Sequence, residues 1–101
     1  MFTDGNGSSR LRFGLKIADA SIMAQRDASI PVFGAYVGRV APDSPGQRAG
    51  LMTGDVITEF NMRRVNKASD LEKAMGILTT GSNMSIVFTR GNNSLKAEVK
   101  V

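Results

Sequence analysis

Apolar and polar residues alternate from Arg10 to Ile17: Leu11, Phe13, Leu15 and Ile17 are apolar, with Arg12, Gly14 and Lys16 between them. A period of two sends successive side chains to opposite faces, so this stretch predicts a half-buried strand. The pattern weakens from Ala18 to Ile30, which reads as a variable insertion with room for a helical turn around Ser21 to Gln25. Phe33 to Val40 and Asp55 to Asn61 predict two further strands. Between them Pro42 and Pro45 bracket a turn, and Gly46 to Ala49 predicts one helical turn stopped by Gly50. A tight turn at Asn61 to Arg64 leads into a short strand at Val65.

The one long helical signal comes late. Ser69-Asp70-Leu71-Glu72 fits a capping box, in which Ser69 caps the third amide and Glu72 reaches back. Leu71, Met75 and Leu78 then recur at helical spacing and predict a buried face, and Gly81 closes the segment. Asp70 and Glu72 lie in the first turn, where the helix dipole favours acids. Met84 to Arg90 and Leu95 to Val101 alternate again as strands, with Gly91-Asn92-Asn93 as the turn between them. The whole is five or six short strands with one long helix, one domain over 10–101. Met1 to Ser9 is rich in Gly, Ser and Asn and is expected to be a mobile tail or a cloning remnant.

Composition then removes chemistries. The 101 residues include no His and no Cys. A Ser-His-Asp triad, a Cys-His dyad, thiolate zinc and disulfides are therefore all impossible within this chain. What remains is a Ser-Lys pair or carboxylates. Ser69 and Lys73 are four apart, but Ser69 is better read as a helix cap. The expectation is a binding module without catalytic residues, metal or cofactor. The net charge is +4, yet the basic residues are scattered apart from Arg63-Arg64, so no nucleic-acid partner is expected. No apolar run approaches the roughly 20 residues of a membrane helix, so direct membrane insertion is not expected either. The first residues lack the apolar stretch of a signal peptide.

The order of these elements resembles a PDZ domain of the type attached to bacterial HtrA (DegP-like) serine proteases. The longest likeness runs Gly34-Ala-Tyr-Val-Gly-Arg-Val-Ala-Pro-Asp-Ser-Pro-Gly-Gln-Arg-Ala-Gly-Leu-Met-Thr-Gly-Asp-Val-Ile57; Asp70-Leu71, Gly81 and Arg90-Gly91 match as well. The resemblance implies an α+β, mostly β fold: a small, partly open β-barrel or sandwich with one long and one short helix. It implies a module that captures apolar-ended C-terminal peptides by β-augmentation, as the substrate-recognition or regulatory domain of an HtrA-like protease. The alternative is a scaffolding domain whose groove is occluded, in a membrane-associated complex. A periplasmic or membrane-associated setting and an oligomeric parent protein are further implications.

The resemblance also places the site. Arg12-Phe13-Gly14-Leu15 is similar to the X-Φ-Gly-Φ loop that holds a peptide carboxylate, and successive amides in such a loop can converge on an anion. Lys16 and Ile17 would follow as the strand wall of the groove, and Asp70, Ala74 and Ile77 would line the helix wall. A groove plugged by Ala18 to Val32 would favour the scaffold. One departure stands out: the hairpin after the third strand carries Asn61-Met62 where Asn-Gly is usual, so the turn must differ or be strained.

Overall fold

The alternation of Leu15, Lys16 and Ile17 is realised as strand β1 (Leu15–Asp19), with Leu15 and Ile17 in the core and Lys16 half-buried. The structure is a computed structural model that describes residues 14–76 and 83–100. After β1 come helix α1 (Ala20–Ala24), strand β2 (Ala35–Val40), helix α2 (Pro45–Arg48), strands β3 (Val56–Phe60) and β4 (Arg63–Arg64), helix α3 (Ala68–Gly76), and strands β5 (Asn83–Arg90) and β6 (Asn93–Lys100). The six described strands form one open antiparallel sheet in the order β1-β2-β3-β5-β6, with β4 paired to β3. The expected mostly β fold is therefore present. The start of the first expected strand, the tail, Leu78, Gly81 and Val101 lie outside the described residues.

One face of the sheet builds the main core. Leu15, Ile17, Val37, Ile57, Phe60, Ile86 and Phe88 meet Leu71 and Met75 of α3 there. Leu71 and Met75 are the helical stripe read from the sequence, and both are fully buried. A register shift in the β1–β2 ladder leaves Gly38 without a Cα partner between Arg39 and Val37, a bulge that bends the first strand pair. Phe33, expected to open the second strand, stands outside β2 and is 64% exposed. The chain there is instead drawn to the β4–α3 link, where the Gly34 amide donates to the Asn66 carbonyl at 2.9 Å.

The end of the segment after β1 reaches the opposite face. Ile30 and Pro31 line a hollow with Tyr36, Val56 and Thr89. These strand residues are next to Val37, Ile57 and Phe88 of the main core, so they point the other way.

The turn from α2 into β3 is closed by local and distant bonds together. Ser44 caps α2 by accepting from the Gln47 amide, and Pro45 fills the first helical position. Gly50, at φ +87, donates to Gln47 O while Leu51 donates to Gly46 O, which is a Schellman end. Asp55 is 1% exposed and accepts from the Met52 amide at 2.8 Å. Arg90 grips the same carboxylate with two bonds, Nε to Oδ1 at 2.9 Å and Nη2 to Oδ2 at 2.8 Å. Those bonds raise the guanidinium's pKa above its ordinary value. A third bond from Nη2 reaches the Gly50 carbonyl. The Gly-Asp pair that reads as a strand start is thus an anchor between the α2–β3 turn and β5.

Candidate functional site

Of the loop expected from Arg12 to Leu15, Gly14 is the first described residue, and the structure shows why glycine is required there. Its φ is +69, a left-handed conformation that an L side chain opposes. A Cβ at this position would stand 2.4 Å from Ser44 Cβ and 3.0 Å from Ala41 Cβ. The Gly14 carbonyl accepts from the Ala41 amide at 2.7 Å. Ser44 in turn donates its hydroxyl to the Ala41 carbonyl at 2.7 Å while capping α2. The chain therefore enters β1 by lying flat on a braced turn, and the direction of its first residues is set from outside the strand.

A hollow of about 410 Å³ opens at this point, lined by Gly14, Leu15 and Lys16 from β1 and by Arg39, Asp43 and Ser44 across from it. Lys16 and Arg39 are direct cross-strand partners, so two cations border the hollow side by side. β1 stands at the end of the sheet order. Helix α3 packs against β1 and β2.

The two elements are tied at one end by a side chain the sequence reading overlooked. Asp19, the last residue of β1, accepts from the Ala68 amide at the start of α3 at 2.8 Å. Asp70 reaches back to the Asn66 amide at 3.0 Å. The capping box centred on Ser69 is therefore corrected: α3 starts at Ala68, and Ser69 is already inside the helix and exposed. The physical reason is that Asp19 supplies a better acceptor than the local serine, an anionic oxygen at the positive end of the helix dipole.

Of the residues expected at the site, Gly14, Leu15 and Lys16 share one hollow, with Ile17 beside them in the core. Asp70 and Ala74 line a different hollow, of about 590 Å³, with Arg63, Arg64 and Lys73 on the β4 side of α3. Ala74 is only 8% exposed and belongs to the core, so it is no free surface on which to place bulk. Arg12, Phe13 and Ile77 lie outside the described residues. Ser44, Ala41 and Asp19 were missed because each acts through a contact distant in sequence. No group of His, Cys, Asp and Glu able to hold a metal ion occurs among the described residues.

Comparison with known proteins gives these features a class. The profile of the PDZ domain family matches residues 9–101. The chain belongs to the PDZ domain family. It is 38% identical to human serine protease HTRA3 over 80 residues, covering 74% of this chain and 17% of that protein. It is 29% identical over 68 residues to the periplasmic serine endoprotease DegP of Salmonella typhimurium, covering 67% of this chain and 14% of that protein. The chain thus spans about a sixth of the length of these relatives. The crystal structure of the HtrA3 PDZ domain bound to a phage-derived ligand (FGRWV) superposes with a TM-score of 0.73 at 30% identity, covering 87% of this chain and 81% of that one. The HtrA-type protease AlgW with a decapeptide shares the fold, with a TM-score of 0.77 at 22% identity over 87% of this chain and 27% of that one. A PDZ domain is a non-catalytic module, and the protease chemistry of the relatives belongs to their other domains.

Proposed function

We propose that this PDZ domain captures the apolar-ended C-terminus of a protein by adding it as a strand beside β1. In a longer protein it would serve as the substrate-recognition or regulatory domain of an HtrA-like protease. The peptide carboxylate is received by the loop Arg12-Phe13-Gly14-Leu15, with Lys16 and Ile17 as the strand wall and Ile77 assigned to the helix wall; Asp70 and Ala74, which open on the hollow beside β4, are left out of the groove. The observation that carries this reading is Gly14: a left-handed residue pressed onto Ser44 immediately before the terminal strand of the sheet. A backbone aimed so firmly is pre-organised, which lowers the ordering cost of holding an anion with main-chain amides. Two relatives of this fold, the HtrA3 PDZ domain and AlgW, are seen with peptides bound.

The scaffold alternative needs the groove filled by the segment after β1. The packing of Ile30 and Pro31 on the other sheet face, against Tyr36 and Val56, speaks for the open-groove reading. The test is titration calorimetry of the whole chain with FGRWV, as free acid and as C-terminal amide. Free peptide should bind at about micromolar Kd. Amidation removes charge-assisted bonds worth on the order of 1.5–3 kcal/mol, so affinity should fall at least tenfold. Equal affinity for both forms would remove the carboxylate loop from this account.

A further inference from the structure

The β3–β4 hairpin carries a cost that the fold does not require. Phe60 pairs with Arg63, so Asn61 and Met62 form a two-residue turn, with φ of +51 and +67. Glycine adopts the second of these freely, whereas the methionine Cβ opposes it. The methionine side chain is 84% exposed, so it stabilises nothing in return through burial. Strain retained where a smaller residue would relieve it points to a use outside the fold.

The surroundings indicate what that use is. Arg63 and Arg64 follow directly, and both share a hollow with Lys73 of α3, while Lys67 stands exposed in the link between. Arg63, Lys67 and Lys73 form no ion pair among the described residues. Two carboxylates oppose these four cations: Glu59 lies across from Arg64, and Asp70 is engaged by the Asn66 amide. A second hollow, also lined by Arg64 and Asn66, brings in Val32 and Phe33, which are 57% and 64% exposed. The Gly34 amide bonded to the Asn66 carbonyl holds that apolar pair to the same face. The cationic hollow and the apolar pair therefore adjoin at Arg64 and Asn66, with Met62 exposed at the hairpin tip next to Arg63.

We propose that this face docks on an anionic lipid surface, with Met62 and Phe33 settling among the headgroups while Arg63, Arg64, Lys67 and Lys73 meet the phosphates. Cations bordering exposed apolar side chains match a membrane interface, which offers both negative charge and an apolar boundary. A nucleic acid would match the charge but not the apolar tip, since Met62 and Val32 offer no ring and Phe33 is the single aromatic side chain among the exposed apolar residues there. The docking is peripheral: no helix among the described residues is long and apolar enough to cross a membrane.

The experiment is co-sedimentation of the whole chain with vesicles of phosphatidylcholine, with and without phosphatidylglycerol, at low and raised salt. Binding should require phosphatidylglycerol and weaken with salt. Arg63→Gln together with Arg64→Gln should lower vesicle affinity roughly twenty-fivefold, about fivefold for each cation near the surface. Met62→Gly separates docking from folding. It should raise the melting temperature by relieving the turn and at the same time reduce vesicle binding, leaving FGRWV affinity unchanged. A purely structural methionine would show the first effect without the second. The proposal is overturned by equal binding to neutral and anionic vesicles, by vesicle binding of the Met62→Gly chain equal to that of the original, or by binding to single-stranded DNA without binding to vesicles.

Discussion

Replacing Asp19 by alanine takes the acceptor away from the first amide of α3. In the structure Asp19 Oδ1 receives the Ala68 N–H at 2.8 Å, and Ala68 is 3% exposed, so water cannot easily take its place. A lost N-cap costs about 1 kcal/mol, and an unsatisfied buried donor about 1–3 kcal/mol. Since these are two descriptions of one amide, they are not summed, and about 2 kcal/mol is the expected loss. Ser69→Ala removes an exposed hydroxyl inside the helix and should stay within about 0.5 kcal/mol. Asp19→Asn keeps an oxygen at the same place but loses the charge at the helix N-terminus, so it should recover part of the difference. Urea denaturation of the three variants, followed by far-ultraviolet circular dichroism, reads these losses from shifted midpoints at an unchanged slope. In a thermal melt about 2 kcal/mol corresponds to roughly 8 °C or more for a domain of this size. If Ser69→Ala proves as costly as Asp19→Ala, the long-range cap is wrong and the local capping box stands. Because Asp19 ends β1 and Ala68 begins α3, Asp19→Ala should also weaken FGRWV binding at temperatures where the domain is still folded.

Two further predictions concern residues whose partners are distant. Arg90→Ala leaves the Asp55 carboxylate buried without its cation and should lower the denaturation midpoint clearly, and Arg90→Lys should restore only part of it, because an ammonium cannot form two parallel bonds to a carboxylate; full rescue by lysine would show that charge alone matters. Gly14→Ala and Gly91→Ala both place a side chain at positive φ, but a Cβ at Gly91 meets nothing within 4 Å whereas at Gly14 it meets Ser44 at 2.4 Å. Gly91→Ala should therefore cost about 1–2 kcal/mol from backbone strain alone, and Gly14→Ala distinctly more, together with a loss of peptide affinity that Gly91→Ala does not share.

Periodicity alone marks the elements of this protein. Leu15 and Ile17 at a spacing of two, and Leu71 and Met75 at a spacing of four, are buried on the faces their periods require. β2, β3, β5 and β6 begin within two residues of where the pattern puts them. The endings that use bonds between near neighbours are equally legible: Pro45 and Gly50 frame α2 through contacts spanning at most five residues. Such signals survive in the sequence because their physics is local, a dihedral preference or an amide paired within one turn. Only the tertiary structure decided the rest. The cap of α3 comes from Asp19, 49 positions away; the need for glycine at Gly14 comes from Ser44; the partner of the buried Asp55 is Arg90, 35 positions on. Which sheet face receives Ile30 and Pro31 also has no mark in their own weakly patterned segment. Each of these is a choice among acceptors and surfaces that become neighbours only after β1, β2, β3 and β5 have paired, and a propensity carried by one residue holds no record of what pairing will bring beside it.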